Sequence, residues 1–307
     1  MTAFSPVSAA TEGLRVIRRE PVALLGWIGI WVLALVVVTV VQLLTIDHQP
    51  MPPMPRTGTA ALVARFGPLW PLLVTTIFVL LMMTTATLFR AVLMPAEHGW
   101  HLFKLGGDEV RLAIVTLAST TVLVAFGSLP SVILFLFAKP ILAASPASGQ
   151  LVVLLGTAAT VFIDTWIGVR LSLAPVHTFA EGRFHVFGYW RLTRGNFWRL
   201  LLSYFYLALQ IIVVFVVVAL GLFAVGQLAA AIASGHLTLV SRAALFILVG
   251  VAALLLAILF VIPLTLVCAC QAVAYAAIVK PDPASPWGAS RRRAWPGRDP
   301  GMPSREV

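Results

Sequence analysis

Residues 200–228, LLLSYFYLALQIIVVFVVVALGLFAVGQL, decide the fold class of this chain. The stretch carries no charged side chain, and it exceeds the roughly 20 apolar residues that a helix needs to cross ~30 Å of hydrocarbon. Its apolar residues show no period-2 alternation, which argues against a barrel strand. Because only helices and closed barrels satisfy their backbone hydrogen bonds in lipid, the stretch predicts a transmembrane helix.

Five further windows between charged residues are also long and apolar, which gives six spans in all. Pro263 lies deep in the last window, where it predicts a kink without dividing the helix. Residues 1–279 are thus expected to form one all-α, polytopic transmembrane bundle, and residues 280–307 a disordered basic cytoplasmic tail. The predicted spans are about 22–44, 68–91, 112–137, 150–172, 200–228 and 243–275.

The composition supports a membrane protein. The chain is 60% hydrophobic and 10% charged, against roughly 45–50% and 25% for soluble domains. A net charge of +10 would suit a nucleic-acid-binding protein. The bases flank apolar segments, however, and form no basic face interleaved with aromatics. We therefore expect membrane lipids as partners, anionic headgroups among them, together with a membrane-protein partner and no nucleic acid.

The distribution of bases predicts the orientation. Of the 21 lysines and arginines, 17 lie on one set of flanks, and four lie on the other: Arg56, Arg65, Lys139 and Arg242. Cytoplasmic loops carry the excess of basic residues. The sequence therefore predicts a multi-pass protein of the bacterial inner (plasma) membrane with both termini in the cytoplasm.

Three segments on the basic side share a design in which bases mixed with apolar or aromatic residues precede a turn and a span. Each is expected to lie in the headgroup layer, with its arginines reaching the polar region. Two spans follow each segment, which predicts three helical hairpins with interfacial entry helices. The segments are LRVIRREPVALLGW from Leu14, LFKLGGDEVRLAIV from Leu102 and YWRLTRGNFWRLLL from Tyr189.

Several motifs resemble signatures of a family of bacterial inner-membrane proteins. They are KLGGDEVR from Lys104, RLSLAP from Arg170, the pair Gly182-Arg183, and WRLTRGNFWRL from Trp190. These proteins are similar to the membrane domain attached to some glycerophosphoryl diester phosphodiesterases. The resemblance implies a six-helix inner-membrane module over most of residues 10–279. The chain leaves no room for the soluble barrel of those enzymes, so phosphodiester hydrolysis is not carried over.

Asp164 is the strongest single candidate for a functional residue. It lies six positions before Arg170, which places it about 9 Å inside the expected cytoplasmic boundary, and an intramembrane carboxylate is a functional candidate by default. It could relay a proton or bind a cation. Alternatively it is a packing residue, tied to Arg90 or Arg111 at a neighbouring helix end. Small and polar residues share its helical stripe: Thr157, Thr160, Gly168 and Ser172.

Seven charged residues are candidates for an interfacial site. Arginine forks suit the phosphates of lipid headgroups, so a charged collar on the cytoplasmic side could bind lipid. The alternative is that the acids favour a helix N-terminus and pair with nearby bases. The candidates are Lys104, Asp108, Glu109, Arg111, Arg170, Arg191 and Arg194.

The sequence shows no set of residues for catalysis, for a metal or for a cofactor. Cys268 and Cys270 are two positions apart on a predicted helix and do not face each other, so we expect no disulfide. The leading hypothesis is a non-enzymatic module that binds lipid or protein partners at the cytoplasmic interface. The alternative is a small secondary transporter that uses Asp164 as its coupling site.

Overall fold

The computed structural model describes residues 5–46, 69–94, 106–184, 190, 193–233 and 239–279. These residues form eight α-helices. In chain order they are α1 (Pro6–Arg19), α2 (Pro21–Ile46), α3 (Leu69–Leu93), α4 (Gly107–Ala144), α5 (Pro146–Leu171), α6 (Ala174–Glu181), α7 (Phe197–Ala233) and α8 (Leu239–Ile278).

Six of these helices, all except α1 and α6, are long and apolar enough to cross a membrane. Each coincides with one of the six predicted spans, and α8 continues through Pro263 without a break. The chain is therefore an all-α, multi-pass membrane protein, as the sequence predicted. α8 has 40 residues and measures about 60 Å at 1.5 Å per residue. It is twice as long as the ~30 Å hydrocarbon core is thick.

The last described helix, α8, occupies the centre of the bundle. It contacts α1, α2, α3, α6 and α7. Trp31 of α2 stacks on Phe260 of α8 with ring centroids 5.1 Å apart, and its indole N–H donates to Thr84 Oγ1 of α3 at 3.2 Å. Ala257 and Val261 of α8 are fully buried beside them. The first pair of spans is thus joined largely through α8.

The other two pairs of spans pack as the predicted hairpins, α4 with α5 and α7 with α8. The predicted spans 112–137 and 150–172 left residues 138–149 between them, and in the structure both helices extend into this interval. Only Ser145 separates the two helices. Its backbone is extended (φ −153°) and Pro146 follows at the first helical position, where proline suits a helix because its missing N–H has no partner there.

The amphipathic helix α1 is the first of the predicted entry helices. It begins at Pro6, earlier than the segment from Leu14, and packs in the groove between α7 and α8. The face of α1 that carries charged residues is exposed. The face made mostly of small residues is buried: Ala9, Ala10, Gly13 and Val16. The other two predicted entry segments fall partly on residues 102–105, 185–189 and 191–192, outside the described residues. The tail 280–307 also lies outside them.

The short helix α6 was not predicted. After Leu171 the chain turns and continues as eight helical residues, most of them buried. α6 packs against α3, α4 and α8, and Gly182 ends it in the left-handed conformation (φ 66°), with its N–H donating to Thr178 O at 3.0 Å. We call the end of the bundle that carries α6, Arg90, Glu109, Arg170 and Glu181 the charged end.

Candidate functional site

A buried ion pair joins α3 to the start of α4 at the charged end. Arg90 donates to Glu109 Oε1, and both side chains are more than nine-tenths buried. The other carboxylate oxygen, Oε2, accepts the Gly106 N–H at 2.8 Å. Phe179 of α6 lies 5.6 Å from the Arg90 guanidinium. The pair therefore fixes three elements of the charged end to one another.

A hydrogen-bonded chain of three side chains joins α6 to the end of α8. The Tyr275 hydroxyl donates to Glu181 Oε1 at 3.2 Å and lies 3.0 Å from His177 Nδ1. The Tyr275 oxygen therefore bridges the His177 ring and the Glu181 carboxylate. Tyr275 is fully buried, so this chain anchors α6 in the interior.

Arg170 lies in an aromatic cage. Its guanidinium is 5.4 Å from the Trp166 ring, 5.2 Å from Trp190 and 6.0 Å from Phe197. Its Nη1 donates to the backbone oxygen of Trp190 at 3.2 Å and to Thr193 Oγ1 at 3.3 Å. Arg170 thus holds the approach to α7 in place and stabilises its own charge by cation–π contact.

The turn that Arg170 holds and the first residues of α7 carry two exposed bases and an exposed indole; we call residues 193–199 the basic turn. The chain turns at residues 193–196, with Gly195 in the left-handed region (φ 91°), and the Asn196 N–H donates to Thr193 O at 3.2 Å. Arg194 and Arg199 are exposed, and Trp198 is 75% exposed. Bases beside a tryptophan are typical of a protein surface at the membrane–water interface.

Arginines at the charged end divide into buried and exposed groups. Arg90 and Arg170 make the contacts above, and Arg111 pairs with Asp108 at 2.9 Å. Five exposed arginines have no ion-pair partner within the described ranges: Arg18, Arg19, Arg183, Arg194 and Arg199. Their charge is therefore available to an anion outside the chain.

Asp164 faces the neighbouring helix of its own hairpin. A Cβ built at Gly127 of α4 would meet Asp164 Oδ1 at 2.7 Å, and this oxygen is buried without a hydrogen-bond partner among the described residues. The expected tie to Arg90 or Arg111 is wrong, because these pair with Glu109 and Asp108.

The structure places Asp164 within the α4–α5 hairpin. It lies beside Gly127, which is 16 residues beyond Arg111 along α4, or about 24 Å at 1.5 Å per residue. Along its own helix it lies six residues, or about 9 Å, before Arg170. Its depth relative to the membrane boundary stays a prediction.

The predicted collar of interfacial charges separates into distinct sites. Asp108 and Glu109 lie in the first turn of α4. This agrees with the alternative given above, in which the acids favour a helix N-terminus. Glu109 points inward to Arg90, whereas Asp108 pairs with Arg111 on the surface. Arg194 lies on the outward turn and Arg170 beneath it. Lys104 and Arg191 lie outside the described residues.

The sequence interpretation missed His177, Glu181 and Tyr275. His177 and Glu181 are four positions apart on α6, a spacing that puts two side chains on one helical face. That spacing was the available signal, although nothing in it indicates Tyr275, 98 positions away from His177. Cys268 and Cys270 are free thiols and both are buried.

The described side chains thus provide a buried scaffold and an outward basic turn. Within the described ranges no three His, Cys, Asp or Glu residues come together to hold a metal. The Arg90–Glu109 pair is buried, His177 and Glu181 are half-buried beside the buried Tyr275, and Arg194 and Arg199 are exposed. The comparisons add no relative: no family model, curated protein or solved structure matches the chain.

Proposed function

We propose that this protein is a non-enzymatic module of the bacterial inner membrane that binds lipid headgroups or a membrane-protein partner at its cytoplasmic face. The observation that carries the proposal is the set of five exposed arginines at the charged end without ion-pair partners in the described parts of the chain. Each arginine near an anionic surface contributes about 1 kcal/mol of attraction.

The orientation belongs to the same proposal. The charged end carries the bases that the positive-inside rule assigns to the cytoplasm. Away from this end, the helices expose apolar side chains. Exposed apolar side chains such as Val124, Phe162 and Phe246 are suited to lipid acyl chains. We further propose kinship with the membrane domain of glycerophosphoryl diester phosphodiesterases, because the motifs from Arg170 and Trp190 contribute to α6 and the basic turn.

The contacts of these side chains support a structural role for them. The Arg90–Glu109 pair is more than nine-tenths buried and joins α3 to α4, and the fully buried Tyr275 of α8 contacts His177 and Glu181 of α6. The exposed arginines are therefore the charged groups that can meet a ligand outside the chain.

A small secondary transporter is the second candidate, and one observation favours it. Asp164 Oδ1 is buried and has no hydrogen-bond partner among the described residues. Carboxylates inside membrane spans are the kind of group that ion-coupled transporters use.

Native mass spectrometry of the protein gently extracted from its own membrane tests these alternatives, with wild type and Asp164→Asn compared. We expect both forms to retain the same lipid or protein subunit, because the Asp164 side chain faces Gly127 of α4 and makes none of the contacts given above for the basic turn. A small solute or ion bound to wild type and missing from the folded variant would overturn the binding-module proposal and favour transport.

A further inference from the structure

The outward turn before α7 continues into an exposed apolar stripe. Arg194 lies in the turn and Arg199 in the first turn of α7, both exposed. Because two exposed bases lie five positions apart where α7 begins, we propose that the surface binds one anionic glycerophospholipid, with its phosphate at these two guanidinium groups. The inference rests on the proposed function and names the ligand and the site within it.

The two arginines provide the polar half of the site. Neither has an ion-pair partner among the described residues, and neither belongs to the cation–π contacts that hold Arg170. A guanidinium group presents parallel N–H donors whose geometry matches two phosphate oxygens. The phosphate diester of a lipid supplies those oxygens, and its negative charge balances the positive charge of the arginines.

The apolar half of the site lies directly below on the same helix. Trp198, Leu202, Phe205 and Leu209 follow one another at helical spacings of four, three and four, so they share one face. They are 75, 44, 59 and 47% exposed. The stripe covers about 16 Å at 1.5 Å per residue, close to half of the ~30 Å hydrocarbon core. One leaflet of the bilayer has this depth.

This continuity identifies a lipid and not free phosphate as the ligand. A soluble anion would use the arginines alone and would gain nothing from the apolar stripe. A lipid places its headgroup at the turn and an acyl chain along Leu202, Phe205 and Leu209, so that both halves contribute. Trp198 lies between them, at the level where indole rings favour the membrane interface.

The turn is held in its shape before any ligand arrives. Arg170 donates to Trp190 O and Thr193 Oγ1 from beneath, and Thr193 is fully buried. Phe197 lies over the Arg170 guanidinium at 6.0 Å and contacts Trp198 edge to face at 5.4 Å. Because the turn is already ordered in the free protein, binding a lipid costs less conformational entropy than it would at a flexible turn.

The test is a native mass spectrometry titration of the full chain in detergent with dioleoyl phosphatidylglycerol and, separately, dioleoyl phosphatidylcholine. The variant is Arg194→Gln/Arg199→Gln. The matched control, Arg18→Gln/Arg19→Gln, removes two exposed and unpaired arginines from α1. Thermal unfolding of each form verifies the fold. A further titration of wild type adds inorganic phosphate in excess over the lipid.

We expect the Arg194→Gln/Arg199→Gln variant to weaken phosphatidylglycerol binding about 30-fold, from two contributions of about 1 kcal/mol each at 1.4 kcal/mol per tenfold. The control should change binding less than threefold. Phosphatidylcholine, whose choline cation offsets the charge of its phosphate, should bind wild type more weakly than phosphatidylglycerol and should lose less affinity in the Arg194→Gln/Arg199→Gln variant. Inorganic phosphate should not displace phosphatidylglycerol from wild type.

Equal weakening by both double variants would overturn the site, since it would show general attraction to a basic surface. Displacement by inorganic phosphate would overturn the lipid as ligand. If wild type prefers phosphatidylglycerol and the Arg194→Gln/Arg199→Gln variant retains that preference, this site is wrong while the lipid-binding module stands. If wild type shows no preference for the anionic lipid, both the site and the lipid part of the proposed function fail.

Discussion

Gly13 of α1 lies against the backbone of Leu266 in α8, so that a Cβ at position 13 would come within 2.7 Å of the Leu266 Cα. The two helices pack this closely because position 13 has no side chain. We therefore expect Gly13→Leu to displace α1 and to lower the free energy of unfolding by about 1–3 kcal/mol, as overpacking does. Thermal unfolding in detergent, followed by circular dichroism, measures the change.

The matched control is Gly29→Leu on α2, where a Cβ would meet nothing within 4 Å. This variant should be as stable as wild type or more so, because glycine in a helix costs about 1 kcal/mol relative to alanine. A similar loss of stability in both variants would mean that α1 does not depend on the contact with Leu266.

The buried ion pair gives a second prediction. Removing one partner, as in Glu109→Gln, leaves the Arg90 charge buried without its carboxylate, and such losses cost about 3–5 kcal/mol. Chemical denaturation in mixed micelles measures the free energy of unfolding. Asp108→Asn is the control, because the Asp108–Arg111 pair is more than one-third exposed and such pairs contribute only about 0–1 kcal/mol.

The double variant Arg90→Met/Glu109→Leu sharpens this test. With both charges removed, the interior again contains no unpaired ion, and replacing a buried pair by apolar groups is often neutral or stabilising. We expect it to be more stable than Glu109→Gln. If Glu109→Gln and Arg90→Met/Glu109→Leu lower the free energy of unfolding equally, the shape of the side chains and not their charge determines stability at this position.

The Tyr275 hydroxyl gives a third prediction. Tyr275→Phe removes the common partner of His177 and Glu181, and loss of a buried hydrogen-bond partner costs about 1–3 kcal/mol. The free energy of unfolding should fall by that amount. Tyr206→Phe, on the exposed surface of α7, should leave stability unchanged. Equal effects of the two substitutions would contradict an anchoring role for the hydroxyl.

The aromatic cage gives a fourth prediction. Arg170→Lys keeps the positive charge but loses the planar group that contacts Trp166 and Trp190. We expect the near-ultraviolet circular dichroism of the tryptophans to change, because their edge-to-face contact at 5.2 Å depends on the cage. Arg199→Lys, outside the cage, should leave that spectrum intact. An unaltered spectrum in Arg170→Lys would show that the rings hold their positions without the guanidinium.

The six spans could be predicted from sequence because each is long, apolar and bounded by charges, and lipid imposes the helical state on any such segment. The buried helix α6 could not. Its eight residues APVHTFAE are too short and too mixed for a periodicity signal, and α3, α4 and α8 bury them through contacts distant in sequence.

The candidate site was also only partly predictable, because its contacts join residues that are distant in sequence. Arg194 was identified from its basic, aromatic surroundings, but Arg170 was interpreted as a marker of the membrane boundary. Trp166, four residues before it on the same helical face, was the local signal for a cation–π contact. The pairing of Arg90 with Glu109 needed the approach of two helix ends, which the sequence does not specify.

The central position of α8 has a consequence for biosynthesis. The small face of α1 and the Trp31 side chain of α2 emerge early from the ribosome, whereas their partners Leu266 and Phe260 emerge more than 200 residues later. At ~5–20 residues per second this interval is roughly 10–50 s. During that time the first two helices lack their contacts with α8. Protection by lipid, by the insertion machinery or by another chain is therefore part of the assembly pathway of this bundle.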